Sequence, residues 1–106
     1  MLRICELILE VLRLLKPIID RIRQHDPNLA DQLQRAGASI LLNASEGSYS
    51  HGRNVGARFK NAVSSAGEAR SCLPLAVAWG YIEPIDPALA DNIDKVVATL
   101  YKLSKR

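Results

Sequence analysis

Apolar residues fall three and four apart in four separate stretches of this chain, the spacing that gathers them on one face of an α-helix. In the first stretch Cys5, Ile8, Leu12, Leu15, Ile19 and Ile22 form a seam, which predicts a helix from Cys5 to about Gln24. Ile4, Val11 and Ile18 lie on one flank of that seam, Leu2 and Leu9 on the other, and Leu7 and Leu14 further round. An apolar face this wide exceeds what one bundle interior needs, so the first helix is expected also to pack against another subunit. Pro17 has no N–H to donate and should kink it.

The second stretch opens on Asp26-Pro27. An Asp ahead of a helix accepts from its unpaired N–H groups, and Pro at the first helical position loses no bond. The seam Leu29, Leu33, Ala36, Ile40 and Asn43 predicts a helix from Pro27 to about Glu46, with Asn43 where a core residue belongs. Ala30, Gly37 and Ala44 form a second stripe at every seventh position, which would let a neighbouring helix approach closely. Gly47 fits the position after a helix, where a left-handed conformation is needed and a Cβ is costly. The polar segment from Ser48 to Arg53 should then be an exposed loop.

A third helix is predicted from Asn54 or Val55 to Trp79, with Phe59, Val63, Ala66, Leu73 and Val77 on one stripe and Ala62, Ala69 and Ala76 beside it. Pro74 either bends its last two turns or divides it. Gly80 closes the segment, Tyr81-Ile82-Glu83-Pro84 makes a turn, and Asp86-Pro87 repeats the start signal. The fourth helix, Pro87 to about Leu103, shows Leu89, Ile93, Val96, Leu100 and Leu103. Four amphipathic helices with short connections imply an all-α, antiparallel up-down-up-down four-helix bundle, in one domain spanning residues 1–106.

Composition agrees with packed helices. Hydrophobic residues make up 48% of the 106 and aromatics 5%, so the core must be built from Leu, Ile, Val and Ala. The formal charge of +3 favours polyanionic partners without demanding them. Along the fourth helix and its flanks Asp86, Asp91 and Asp94 come early and Lys95, Lys102, Lys105 and Arg106 late, an order that complements the helix dipole. Cys5 and Cys72 have neither metal-site spacing nor the density of a disulfide framework, so both are expected as buried thiols. Arg3, Glu6, Glu10 and Arg13 interrupt the N-terminal apolar run too often for a signal core or a membrane span, which points to a cytoplasmic protein with no membrane association.

The stretch S-I-L-L-N-A-S-E-G, from Ser39 to Gly47, sets Asn43 and Glu46 at the end of an otherwise apolar helix, where an unpaired polar group is costly. Their expected job is structural: bonding backbone groups or Arg53 and fixing the entry to the loop. This motif, the basic loop, R-F-K-N-A-V-S-S-A-G-E-A-R and A-V-A-W-G-Y-I together resemble the four-helix-bundle proteins encoded within intervening sequences of bacterial 23S ribosomal RNA. The resemblance covers about Leu29 to Ile82. It matches Asn43, Glu46 and Gly47, the basic Arg53, the aromatic Phe59, the carboxylate Glu68, and Gly80 with Tyr81; it departs from the family pattern at Ala44-Ser45 and at Pro74. It implies relatedness to the accessory variability determinant proteins of diversity-generating retroelements, basic homopentameric rings that bind nucleic acid with a reverse transcriptase. It implies no enzymatic activity and no cofactor.

Two functions are therefore expected, and a third is disfavoured. The first is a non-catalytic, homopentameric RNA- or DNA-binding bundle using Arg53, Arg58, Lys60 and Arg70, with Tyr49 and His51 available for base stacking. The alternative is a protein-interaction adaptor docking, for example, a reverse transcriptase. An enzyme is disfavoured: neither His25 nor His51 has a glutamate three residues before it, as a di-metal bundle site would require, and no phosphate loop or nucleophile elbow occurs.

Overall fold

In the computed structural model, which describes residues 2–49 and 54–105, the chain forms α1 (Arg3–His25), α2 (Pro27–Tyr49), α3 (Asn54–Ala78) and α4 (Pro87–Ser104). Each helix packs against its neighbour in sequence and α1 packs against α4, which closes an antiparallel bundle about 44 Å long. Both Asp-Pro starts work as capping chemistry requires. Asp26 Oδ1 accepts from the N–H of Leu29 at 3.0 Å, and Asp86 Oδ1 from that of Ala88 at 2.8 Å. Asp26 is the whole connection between α1 and α2. At the end of α3, Gly80 has φ 76°, and the N–H groups of Gly80 and Tyr81 donate to Val77 and Ala76 at 3.0 and 2.9 Å. This pair of bonds satisfies carbonyls that the last helical turn leaves open, and it needs the left-handed residue that glycine supplies without strain.

One apolar core runs the length of the bundle. Its buried residues on α1 and α4 are mostly large, among them Ile8, Leu15, Ile22, Ile93 and Leu100, whereas α2 and α3 add small ones such as Ala30, Ala44, Ala62, Ala66 and Ala76 beside Leu29, Leu33, Ile40, Phe59 and Leu73. The width of α1 is mostly used inside this fold. Ile4 and Val11 are buried and Leu7 and Ile18 pack against the core, which leaves Leu2 and Leu14 as its strongly exposed leucines.

Three expectations are corrected. Gly47 does not end α2: the helix continues through it to Tyr49, so Ser48 and Tyr49 are helical, and the rest of the expected loop, residues 50–53, lies outside the described residues. A Cβ at Gly47 would stand 2.9 to 3.1 Å from three atoms of the Phe59 ring, so this glycine serves close approach of α3 rather than termination. The α2 seam passes through Ile40, Ala44 and Gly47 and leaves Asn43 half-buried. On α3 the inward column is Phe59, Ala62, Ala66, Ala69, Leu73 and Ala76, while Val63 and Val77 are only partly covered. Small residues belong there because the neighbouring backbone is near. Pro74 leaves α3 undivided, and Pro17 likewise sits within a continuous α1.

Candidate nucleic-acid interface

Antiparallel topology brings the start of α1, the end of α2, the start of α3 and the end of α4 to one end of the bundle. Within about two turns of that end stand five cations, Arg3, Arg58, Lys60, Lys102 and Lys105, against three anions, Glu6, Glu10 and Glu46. The opposite end reverses the balance. There Asp20, Asp26, Asp31, Glu83, Asp86 and Asp91 outnumber Arg21 and Arg23, so a chain of modest net charge is strongly polarised along its axis.

An apolar interlock holds the basic end. The Phe59 ring is buried against Gly47, and Cys5 Sγ lies 3.9 Å from Ser48 Oγ, whose hydroxyl donates to the carbonyl of Ala44 at 2.7 Å. Arg58 pairs with Glu46 at 3.2 Å across the α2–α3 seam. Lys60 faces α4, lining with Tyr101 and Lys105 an open groove of about 820 Å³. The Lys105 ammonium sits 4.6 Å from the Tyr101 ring centroid. Its hydrogen bond and then its charge hold the Tyr101 phenol below the usual range, outweighing the opposite effect of desolvation.

Of the residues expected to contact nucleic acid, Lys60 and Arg58 share the basic end but not a face, since one turns toward α4 and the other toward α2. Tyr49 is exposed on the last turn of α2. Arg70 lies more than two turns further along α3, bonded to Asp94 at 3.2 Å, and is not part of this group. His51 and Arg53 lie outside the described residues. Among the motif residues, Asn43 donates to the carbonyl and hydroxyl of Ser39, each at 3.0 Å, and Ser39 Oγ lies 2.8 Å from Ser65 Oγ of α3. Glu68 accepts from Gln32 at 3.4 Å. Sequence reasoning missed Arg3, Lys102 and Lys105 as members of one surface. The available signal was the topology itself, because alternate helix starts and ends must coincide in an up-down bundle.

The acidic end is tied by polar and aromatic contacts. Tyr81 stacks on His25 with centroids 5.2 Å apart and planes 8° from parallel, meets Trp79 edge-on at 5.9 Å, and donates to Asp26 Oδ2 at 3.4 Å. Partial burial first, and then the Asp26 carboxylate, pushes its phenol up. Among the described residues no group of three or more His, Cys, Asp or Glu side chains could hold a metal ion, and no helix is long and apolar enough to cross a membrane. Cys5 and Cys72 are both buried, and burial followed by the charge of Glu68 raises the Cys72 thiol.

A family model described as 23S rRNA-intervening sequence protein matches residues 3–102, nearly the whole chain. The chain belongs to the 23S rRNA-intervening sequence protein family. The crystal structure of a protein of unknown function from the S23 ribosomal protein family of Bacteroides thetaiotaomicron is similar, with a TM-score of 0.72 at 19% identity, over 95% of this chain and 94% of that one. At that identity the likeness carries the four-helix fold alone. No curated protein sequence matches the chain. The family thus fixes the architecture in which the polarised charge is displayed.

Proposed function

We propose that this family member is a non-catalytic, oligomeric helical bundle that binds nucleic acid, RNA or DNA, through its basic end. The observation that carries the reading is the state of the cations there: among the described residues Arg3, Lys60, Lys102 and Lys105 form no ion pair. Exposed cations gathered at one end of the bundle without ion-pair partners suit a polyanion, whose phosphates release counterions on binding. The partly exposed aromatic faces of Tyr49 and Tyr101 lie at the same end and suit stacking on unpaired bases. Exposed Leu2, just before α1, and Leu14 on α1 support a subunit contact, and the assembly proposed is the cyclic homopentamer implied by the family resemblance. A ring would repeat the basic end and turn modest phosphate contacts into strong collective binding.

The test is anisotropy of labelled structured RNA and single-stranded DNA between roughly 50 and 200 mM salt, with mass by light scattering. Lys60→Glu with Lys105→Glu is expected to weaken binding by at least about tenfold and to flatten the salt dependence, with the mass unchanged. Arg53→Glu with Arg58→Glu should act in the same direction. Unchanged affinity in the Lys60/Lys105 variant would sink this assignment.

A further inference from the structure

The groove between α3 and α4 at the basic end pairs a cation with a second functional group on each wall. On α3, Lys60 and Ser64 stand one turn apart and so on one face; across from them stand Tyr101 of α4 and Lys105, the residue that caps it. Val63 and Ser104 complete the lining, and the Ser104 hydroxyl is already engaged, donating to the carbonyl of Tyr101 at 2.6 Å. Both charges in this lining are positive, and neither ammonium forms an ion pair among the described residues. The acidic side chains of α3 and α4 lie further from this end. Glu68 accepts from Gln32 of α2, Asp94 is bonded to Arg70, and Asp91 precedes Asp94 by about one turn. The volume of about 820 Å³ is that of a small-ligand site.

Aromatic and cationic chemistry meet on the α4 wall. Tyr101 is 52% exposed, and Lys105 Nζ sits 4.6 Å from its ring centroid. A flat surface for a base and an ammonium for the phosphate attached to it are thus a few ångströms apart, with Lys60 and the exposed Ser64 across the groove. We infer, on the nucleic-acid reading above, that this groove takes an unpaired nucleotide of a single strand, its base against the Tyr101 ring and its flanking phosphates on Lys60 and Lys105. Nucleotides inside a duplex are stacked on their neighbours, so their base faces are closed to the ring and only phosphates remain for the two lysines. Every base has a face that can stack, and RNA and DNA share the phosphate. The groove therefore selects strandedness rather than sequence or sugar.

The experiment titrates the whole protein into labelled RNA and DNA strands about twelve nucleotides long, and into the blunt duplex of each, with anisotropy as the readout. The strands should bind at least about tenfold more tightly than the duplexes, RNA and DNA alike. Tyr101→Leu, at an exposed position, should weaken strand binding about tenfold at unchanged helicity and leave duplex binding as it was. Tyr101→Phe keeps the ring and should retain strand binding, whereas Lys60→Glu with Lys105→Glu should weaken strand and duplex together. If Tyr101→Leu fails to fold, the comparison of strand with duplex decides. A duplex bound as tightly as its strand, or Tyr101→Phe as damaging as Tyr101→Leu, would overturn the inference. Loss of binding in the Lys60/Lys105 variant with no effect of Tyr101→Leu would overturn it while leaving the basic-end reading in place; a protein that binds neither strand nor duplex would remove both. Adenosine monophosphate distinguishes a strand from a free nucleotide as the occupant. It should displace the strand only at millimolar concentration, and displacement at micromolar concentration would overturn the assignment to a strand.

Discussion

The two ends of the bundle are held together by opposite means. At the basic end, a glycine of α2 and a phenylalanine of α3 interlock, and four of the five cations take part in no ion pair among the described residues. At the acidic end charged groups do the structural work: Asp26 and Asp86 cap α2 and α4, Asp26 also accepts from Tyr81, and Arg23 bridges to Asp31 and Gln34 of α2. Charge that is already engaged in caps and bridges is poorly placed to recognise a partner. Where apolar packing supplies the cohesion, charge of one sign can be left over for binding, and this asymmetry is why the basic end carries the functional proposal.

The sharpest way to break the comparison is at Phe59. Phe59→Ala should destabilise the protein by about 3–5 kcal/mol, the usual cost of emptying a buried aromatic site, and should loosen the basic end first. Denaturant melts give the free energy, and hydrogen exchange at the end of α2 and the start of α3 gives the location. An even loss of protection along the whole bundle would show that the interlock is not local. Gly47→Ala tests the same contact from the other side. The new methyl group must displace a ring rather than a flexible chain end, so a net loss of about 1–2 kcal/mol remains after the helix-propensity gain from removing glycine. Gly67 isolates that gain: nothing lies within 4 Å of a Cβ built there, so Gly67→Ala should stabilise by up to about 1 kcal/mol.

Glycine 47 also shows where the sequence was legible and where it was not. Helix number, seams on α1 and α4, and both Asp-Pro starts follow from periodicity and capping, because each is decided within a few residues. Gly80 was readable as a helix end for the same reason, as Tyr81 and the turn after it agree with that role. Gly47 has two physical meanings, a stop or a close approach, and only the position of Phe59, which comes from another helix, chooses between them. The alanine column of α3 was likewise ambiguous, since Ala62, Ala69 and Ala76 score as inward only once the neighbour is known to be near. The basic end was hidden most completely. Its cations are spread over three helices in stretches that each look like ordinary dipole compensation or solvated surface.

At the acidic end, Asp26→Ala removes the bond to Leu29 and the acceptor for Tyr81 together, and should cost about 1–2 kcal/mol. Asp86→Ala removes a cap alone and should cost about 1 kcal/mol or less. Thermal melts of the two variants measure the difference. Should Asp86→Ala prove the more damaging, the acidic end would owe its cohesion to the start of α4 rather than to the junction of α1 and α2.

The smallest effect reports on the polarity itself. Tyr101 stands at the basic end beside Lys105, which lowers its pKa, and Tyr81 at the acidic end, where burial and Asp26 raise it. A positive neighbour favours the phenolate, whereas a low-dielectric surrounding and a carboxylate oppose it. As pH rises, Tyr101 should therefore ionise ahead of Tyr81. Ultraviolet absorbance titration detects the order, with Tyr101→Phe deleting the early component and Tyr81→Phe the late one. Lys105→Gln should delay Tyr101, and Asp26→Asn should advance Tyr81. If both tyrosines titrated together in the folded protein, and neither substitution moved its partner, the charges at the two ends would be too well screened by solvent to distinguish one from the other, and steering of a polyanion toward the basic end would lose its basis.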